Sequence, residues 1–205
     1  MKTKDKILLT ALEQFNENGS SKITTNHIAE TMGISPGNLY YHYRNKEEIV
    51  LRLWEKMIDE INIPFHDNPT ANQIGEFIEF LREFFSTTYK YRFFWLEMAV
   101  LIGKDPVLKT RYTNRTRNLL KTYKQSVYNW HKVGMLKQSL VKEELDQLIE
   151  NTFFLTQFWA LHTFIHEDEI TLERLLKGTG QIVKTIKPYL APEALEVIVA
   201  AEKDL

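Results

Sequence analysis

Apolar residues recur three and four positions apart along almost the whole chain, and no stretch alternates with the period of two that a strand needs. This pattern predicts an all-α protein. The segment 64–69 holds two prolines and several turn-forming residues between strongly periodic stretches. We therefore place a domain boundary there, with a first domain at 1–62 and a second at 63–205.

The first domain is predicted to contain a helix that begins near Thr3 and ends at Asn18-Gly19, followed by two short helices and a fourth, longer one. The first short helix follows Thr24-Thr25. Gly33-Ile34-Ser35 then forms a turn, and the second short helix spans Pro36 to Tyr43. Two short helices at this spacing are typical of a helix-turn-helix.

The second short helix has one aliphatic residue and four aromatic or imidazole side chains in succession. Leu39 and Tyr43 are four residues apart, so both can pack inward on one face of the helix. A helix that served only for packing would carry fewer side chains with a polar end. The face that remains is predicted to be exposed, and it comprises Pro36, Gly37, Asn38, Tyr40, Tyr41 and His42.

The run from His27 to Val50 resembles the signature of the TetR (tetracycline repressor) family of transcriptional regulators. The resemblance covers about residues 3–60, while the rest of the chain agrees with the family in length and helix count. It implies a three-helix DNA-binding domain followed by a helical domain for ligand binding and dimerisation. Tyr43 departs from the phenylalanine usual in the family, and its hydroxyl needs a partner.

The resemblance also implies which residues bind DNA. Phosphate contacts are expected from Thr25, Tyr40 and Lys46, and base contacts from residues 36–38 and from His42. Tyr41 lies on the same predicted exposed face, and we include it in the DNA-binding set. A hydroxyl or an amide at a helix start suits a phosphate oxygen, and a lysine adds a point charge.

Charge supports only a narrow DNA-binding footprint. The chain holds 26 basic and 27 acidic residues, so its net charge of -1 provides no general attraction to nucleic acid. Within residues 31–46, however, Arg44 and Lys46 occur without any acidic residue. We therefore expect few phosphates to be neutralised and a moderate dependence of DNA binding on salt.

The second domain is rich in aromatic residues, most of which we expect in the core. A helical domain with this composition can also hold an apolar cavity between its helices. Arg115 lies at the edge of an apolar stripe, where it either extends its charge to solvent or pairs with an anionic ligand. The predicted ligand-binding residues are Phe84, Met98, Tyr112, Arg115 and Phe158.

The predicted helix 142–166 is apolar almost all round, and a helix buried on two sides needs two partners. The helix at 171–187 offers a further apolar face. We infer a two-fold dimer in which these two helices of each chain form a four-helix bundle, as the TetR resemblance also implies. The predicted interface residues are Thr152, Thr156, Trp159, Leu175, Leu176, Thr179 and Val183.

Other chemistry is not expected. The chain has no cysteine, and it lacks the motifs of common hydrolases and metalloproteases, so we predict neither an enzyme nor a cofactor. His162 and His166 have metal-ligand spacing, but exposed imidazoles are commoner near a helix end, and we predict no metal site. The N-terminus lacks a signal peptide, and the apolar stretch 93–103 is broken by Glu97. We therefore predict a cytoplasmic protein that does not bind membranes.

These features and the TetR resemblance together predict a homodimeric one-component transcriptional regulator that acts as a repressor. It would bind a palindromic double-stranded DNA operator and be released by a small apolar or amphipathic effector. The alternative is a helical lipid-binding or carrier protein in which the helix-turn-helix pattern is incidental.

Overall fold

The computed structural model describes residues 2–64, 72–167 and 169–201. Within these residues the chain forms ten α-helices and one short 3-10 helix, and the all-α prediction is confirmed. The α-helices are α1 (Thr3–Asn18), α2 (Thr25–Thr31), α3 (Pro36–His42), α4 (Lys46–Glu60), α5 (Asn72–Lys90), α6 (Arg92–Lys104), α7 (Pro106–Lys132), α8 (Lys142–His166), α9 (Leu172–Ile186) and α10 (Pro192–Ala201). The 3-10 helix covers Lys187–Tyr189.

Helix ends in the first sixty residues follow local sequence signals. Gly19 has a φ of 81° and donates its amide hydrogen to the Phe15 carbonyl, which ends α1 as predicted. The Ser35 side chain accepts a hydrogen bond from the Asn38 amide at 3.2 Å, with Pro36 as the first helical residue of α3. These two signals fix where the chain leaves α1 and enters α3.

The chain divides into two compact units. The first comprises the described residues of 1–61 and 90–112, and the second comprises those of 62–89 and 113–205. α6 and the start of α7 thus belong with the N-terminal helices. The predicted boundary after residue 62 remains a prediction, and most of the proline-containing segment on which it depends, 65–69, lies outside the described residues.

The core of the first unit is apolar and comes mainly from α1 and α4. Ile7, Ala11 and Phe15 follow one face of α1 and are at most 1% exposed. Ile49 and Leu53 on α4 are equally buried. This core supports the two short helices between them, because seven-residue helices are not stable alone in water.

The second unit is built around the packing of α8 against α9. At Gly178 on α9 a Cβ atom would lie 2.5 Å from the ring atoms of both Phe85 and Trp159, so only glycine permits this approach. Phe77 stacks on Tyr123, with ring centroids 6.2 Å apart, and meets Trp130 edge-on at 5.4 Å. Aromatic side chains thus fill much of this core, as predicted.

Candidate nucleic-acid interface

α2 and α3 cross closely at a tight turn. Ala29 is fully buried, and its carbonyl accepts a hydrogen bond from the Ile34 amide at 3.0 Å. Gly33 has a φ of 64°, a conformation that side chains with a Cβ rarely adopt. The predicted helix-turn-helix is confirmed, and a small residue and a glycine occupy the two positions that require them.

α3 presents one face to the core and the other to solvent, as predicted. Leu39 is 0% exposed and Tyr43 is 1% exposed, while Tyr41 is 85% exposed. His42 is half-buried, and its ring lies 5.1 Å from that of Tyr41. The remaining exposed residues of this face are Pro36, Gly37, Asn38 and Tyr40.

The hydroxyl of the buried Tyr43 has a hydrogen-bond partner. The hydroxyl donates to the Lys4 carbonyl at 3.3 Å, and the Lys4 ammonium lies 5.3 Å from the centroid of the ring. Burial, with a smaller contribution from the charge of Asp5, raises the pKa of Tyr43 to about 12. The hydroxyl therefore remains a donor at neutral pH, and it ties the end of α3 to α1.

Two of the predicted phosphate contacts touch each other. The Thr25 and Tyr40 hydroxyl oxygens are 3.1 Å apart, and either hydroxyl can be the donor. Thr25 is free for this contact because Thr24, one residue earlier, caps α2 by accepting a hydrogen bond from the His27 amide at 3.3 Å. The contact holds the Tyr40 side chain over the start of α2.

The third predicted phosphate contact, Lys46, is bound within the first unit. Its ammonium donates to the Ser20 carbonyl at 2.7 Å. An ammonium has three hydrogens, so this bond leaves two of them available. Lys46 is half-buried, and the site that it occupies is set by the connection between α1 and α2.

Sequence analysis missed the residues that hold this connection. The Glu97 carboxylate on α6 accepts hydrogen bonds from both the amide and the hydroxyl of Ser20. The Asn16 side chain, two residues before the end of α1, forms hydrogen bonds with the backbone at the start of α6. Both contacts join residues more than 70 positions apart, and the only local signal was a glutamate inside the most apolar stretch of the chain.

Two family descriptions together cover most of the sequence. Residues 7–53 match the bacterial regulatory proteins of the TetR family, and residues 54–198 match the TetR bacterial transcriptional repressors. The chain belongs to the TetR family. Members of the TetR family are transcriptional regulators rather than enzymes, and this protein is a TetR-family transcriptional regulator with an N-terminal helix-turn-helix.

Individual relatives agree with the TetR assignment. A TetR-family regulator from Marinobacter aquaeolei VT8 shares the fold with a TM-score of 0.86 and 30% identity, over 100% of this chain and 98% of that chain. IcaR, a negative regulator of the biofilm operon icaADBC in Staphylococcus aureus strain Newman, is 29% identical over 78% of this chain and 84% of IcaR. The probable acrEF/envCD operon repressor of Escherichia coli K12 is 35% identical over 54 residues, so the match spans only 24% of that repressor.

The residues predicted to line a ligand cavity are divided between the two units. Met98 and Tyr112 belong to the first unit and are half-buried. The Tyr112 ring lies 6.3 Å from that of Phe94, and burial raises the pKa of Tyr112 above its ordinary value. Tyr112 thus forms part of the aromatic packing of the first unit.

The other three predicted ligand-binding residues belong to the second unit. Phe84 is 5% exposed and meets Phe85 edge-on at 5.4 Å. Arg115 is half-buried, and its Nε atom has no hydrogen-bond partner among the described residues. Phe158 is 38% exposed and contacts Phe154, with ring centroids 4.8 Å apart. Phe158 therefore lies on the surface of the chain, and the ligand cavity remains a prediction.

Most of the predicted interface residues lie inside the chain. The residues that are at most 1% exposed are Thr152, Leu175, Thr179 and Val183. The Thr152 hydroxyl, for example, is 2.7 Å from the Tyr123 hydroxyl oxygen. These four side chains are used in the packing of α8 and α9 and have no surface left for a second chain. Thr156, Trp159 and Leu176 are half-buried.

The outer side of α8 carries a continuous apolar surface instead. Phe154, Phe158, Leu161 and Ile165 follow the spacing of a single helix face, and we call them the α8 strip. Phe154 is 61% exposed and Ile165 is 65% exposed. On α9, Leu172 adds a further exposed side chain, at 39%.

The remaining candidate site is the histidine pair near the end of α8. The rings of His162 and His166 are 4.6 Å apart, and both residues are exposed. No group of three or more possible metal-binding side chains was found among the described residues. In the same part of the chain, no helix combines the length and the apolar character needed to cross a membrane.

Proposed function

We propose that this TetR-family regulator acts as a homodimeric repressor that binds a two-fold symmetric DNA operator through α3. A small apolar or amphipathic molecule bound in the helical domain would release it. The observation that carries the proposal is the geometry of α3. The N-terminal turn of α3, with Tyr40 and Tyr41, faces solvent. Leu39 and Tyr43 anchor the opposite face in the core.

An α3 helix of this kind suits the major groove. Asn38 is exposed in the first turn of α3, where its amide group can both donate to and accept from a base edge. Thr25 and Lys46 lie at the starts of α2 and α4, where backbone amides also favour phosphate. Base contacts would thus come from α3, and phosphate contacts from the helix starts on either side.

The α8 strip supports a homodimer. Four apolar side chains on one helix face are costly to leave in water, and a second copy of the same face would cover them symmetrically. Residues buried within the chain are not part of this proposed interface. A dimer would present two α3 helices, and a palindromic operator would hold them roughly one turn of DNA, about 34 Å, apart.

The proposed ligand response is supported by the composition of the second unit. Phe77, Tyr123 and Trp130 form an aromatic cluster, and Arg115 has a buried donor atom that remains available. An amphipathic molecule would combine an apolar part for the first with an acceptor for the second. Its effect on DNA binding would depend on its different affinities for the bound and free conformations.

Repression rather than activation is favoured by the relatives, since IcaR is a negative regulator and the E. coli relative is a probable repressor. The carrier hypothesis, in which the helix-turn-helix would be incidental, has no such support. The family match includes the helix-turn-helix itself.

The test is a gel-shift titration with DNA from upstream of the protein's own gene, at low and moderate salt and with unrelated competitor DNA. We expect one specific complex and a footprint with two half-sites about one turn apart. Tyr41→Ala removes an exposed side chain of α3. It should weaken the complex while the melting temperature stays constant. Absence of specific binding even at low salt would overturn the proposal.

The ligand step has its own test. Compounds that raise the melting temperature are first selected from a panel of apolar and amphipathic molecules, because binding to the folded state stabilises it. Each of them should lower operator affinity in the gel shift, since the two binding events are linked reciprocally. Compounds that stabilise the protein without any effect on operator affinity would contradict ligand release.

A further inference from the structure

Ser20, in the connection between α1 and α2, uses all of its polar groups. Its amide donates to Glu97 Oε1 at 2.7 Å, and its hydroxyl donates to Glu97 Oε2 at 2.5 Å. Its carbonyl accepts from the Lys46 ammonium at 2.7 Å. Hydrogen bonds to charged groups are about twice as strong as those between neutral groups, and all three are of this kind. Ser20 is only 2% exposed, so it is held between α6 and the first residue of α4.

The backbone before Ser20 is shaped for this contact. Gly19 has a φ of 81°, and a Cβ atom at this position would lie 3.1 Å from Glu97 Oε1. Another residue would therefore be strained in its backbone and would crowd the carboxylate. The glycine that ends α1 also leaves room for Glu97.

A second polar contact fixes the start of α6. The Asn16 side chain donates to the Lys90 carbonyl at 2.8 Å and accepts from the Phe93 amide at 3.1 Å. The Phe15 and Phe93 rings lie 5.2 Å apart beside it. Since α6 is attached to α1 here, the Glu97 carboxylate one turn further along has a defined position.

We infer that Glu97 is a positioning residue for DNA binding, although it lies outside the helix-turn-helix. Glu97 places Ser20, and the Ser20 carbonyl in turn places the Lys46 ammonium. The inference rests on the proposed function, in which Lys46 contacts a DNA phosphate. α6 then contributes to DNA binding as part of the first unit.

The variants Glu97→Ala, Ser20→Ala and Lys46→Ala, with the Glu97→Ala/Lys46→Ala double variant, test this chain of contacts. Ser20, Lys46 and Glu97 line a cleft of about 100 Å³, so water can enter the space that the carboxylate leaves, and we expect Glu97→Ala to fold. We expect Glu97→Ala to weaken operator binding at least tenfold. Ser20→Ala should have a smaller effect, because the backbone amide still reaches Glu97. The double variant should be no weaker than the worse of its two single variants.

The slope of the logarithm of affinity against the logarithm of salt concentration separates positioning from a general loss of stability. Loss of one phosphate contact lowers the slope by about one unit, and Glu97→Ala should reproduce the change seen in Lys46→Ala. Glu97→Gln keeps an acceptor for the Ser20 amide and removes the charge, so it should retain the wild-type slope. Glu13→Ala, which removes an exposed glutamate from α1, should change neither affinity nor slope.

Amide hydrogen exchange of Ser20 provides a measurement without DNA. The Ser20 amide should exchange slowly in the free wild-type protein and quickly in Glu97→Ala, with α4 amides unchanged. Wild-type affinity and slope in a folded Glu97→Ala protein would overturn the inference. If the wild-type protein binds no operator at all, the proposed function fails, while fast Ser20 exchange confined to Glu97→Ala would still support the contact itself.

Discussion

α3 and α8 both expose aromatic side chains, but the two surfaces differ in their polar atoms. On α3, Tyr40 and Tyr41 are 48% and 85% exposed, and each carries a hydroxyl. On α8, Phe154 and Phe158 are 61% and 38% exposed and carry none. A tyrosine satisfies its hydroxyl in water or on a polar partner, whereas an exposed phenylalanine gains only when apolar surface covers it. The first surface therefore suits nucleic acid, and the second suits protein.

The buried sides of the two helices also differ in polarity. At α3 the buried residues are Leu39 and the adjoining Tyr43. α8 buries apolar side chains as well, but three of its buried residues are polar: Thr152, Gln157 and Thr163. The threonine hydroxyls bond carbonyls of the preceding turn of α8, at 2.7 Å for Thr152 and 2.9 Å for Thr163. α8 can therefore bury these threonines at little cost, while Phe154, Phe158 and Phe164 remain exposed.

The largest expected effect is loss of the proposed dimer. Phe154→Asp combined with Phe158→Asp would place two carboxylates in an apolar interface, and we expect monomers by sedimentation. Because one half-site contact would be lost, operator affinity should fall by a factor of about 100 or more. Gln147→Glu, which adds charge to a polar, exposed part of α8, is the control. An unchanged dimer would mean that the α8 strip faces something else.

Leu175→Ala makes the converse test, because Leu175 is fully buried within the chain. It should lower the free energy of unfolding by about 2–5 kcal/mol through cavity formation. Chemical denaturation measures this loss, and sedimentation should still show dimers. Dissociation of the dimer without loss of unfolding free energy would instead support Leu175 as a dimer-interface residue.

Within the proposed DNA-binding surface, Asn38→Ala on α3 and Lys46→Ala at the start of α4 should have different kinds of effect. Asn38→Ala would remove the proposed base contact and should relax preference at one operator position, at a cost of about 1–3 kcal/mol. Lys46→Ala should weaken binding to all sequences alike and reduce the salt slope by about one unit. Titrations over a panel of single-base operator variants measure both. Identical profiles for the two variants would refute the assignment of base and phosphate contacts.

The inner side of α8 can be tested at two glycines of α9. In Gly178→Ala the new Cβ would meet Phe85 and Trp159 at 2.5 Å, and overpacking should cost about 1–3 kcal/mol of unfolding free energy. At Gly180 nothing lies within 4 Å, so Gly180→Ala should instead stabilise the helix by up to about 1 kcal/mol. Thermal and chemical unfolding of the pair provide the measurement. Equal effects would show that the helices are not closely packed at Gly178.

The smallest effect concerns the inner side of α3. Tyr43→Phe removes the bond to the Lys4 carbonyl and should cost about 0.5–1 kcal/mol near neutral pH. Because the folded protein raises the pKa of Tyr43 from about 10 to about 12, the wild type loses stability as pH rises through this window. The variant has no such loss at this position, so the difference should shrink or reverse between pH 10 and 12. A constant difference in unfolding free energy across that range would contradict the burial of the hydroxyl.

Sequence patterns predicted the fold and the face of α3, but not which side of α8 faces out. Periodicity identifies the inner face of α3 because only Leu39 and Tyr43 share it. α8 is apolar almost all round, so periodicity leaves its orientation open, and Thr152 was assigned to an interface although it is buried within the chain. The contact between Ser20 and Glu97 depends on tertiary packing across 77 positions, which no local pattern encodes.

The contact between the Thr25 and Tyr40 hydroxyls has a consequence for the proposed phosphate site. The two hydroxyls carry two hydrogens, and one of these is used in the bond between them. Together they therefore offer a phosphate a single O–H donor. Thr25→Val or Tyr40→Phe alone leaves the other hydroxyl to supply that donor. Under the proposed function, we expect either substitution alone to weaken operator binding less than the two combined. Single-site mutagenesis would then underestimate the contribution of each hydroxyl to the proposed phosphate contact.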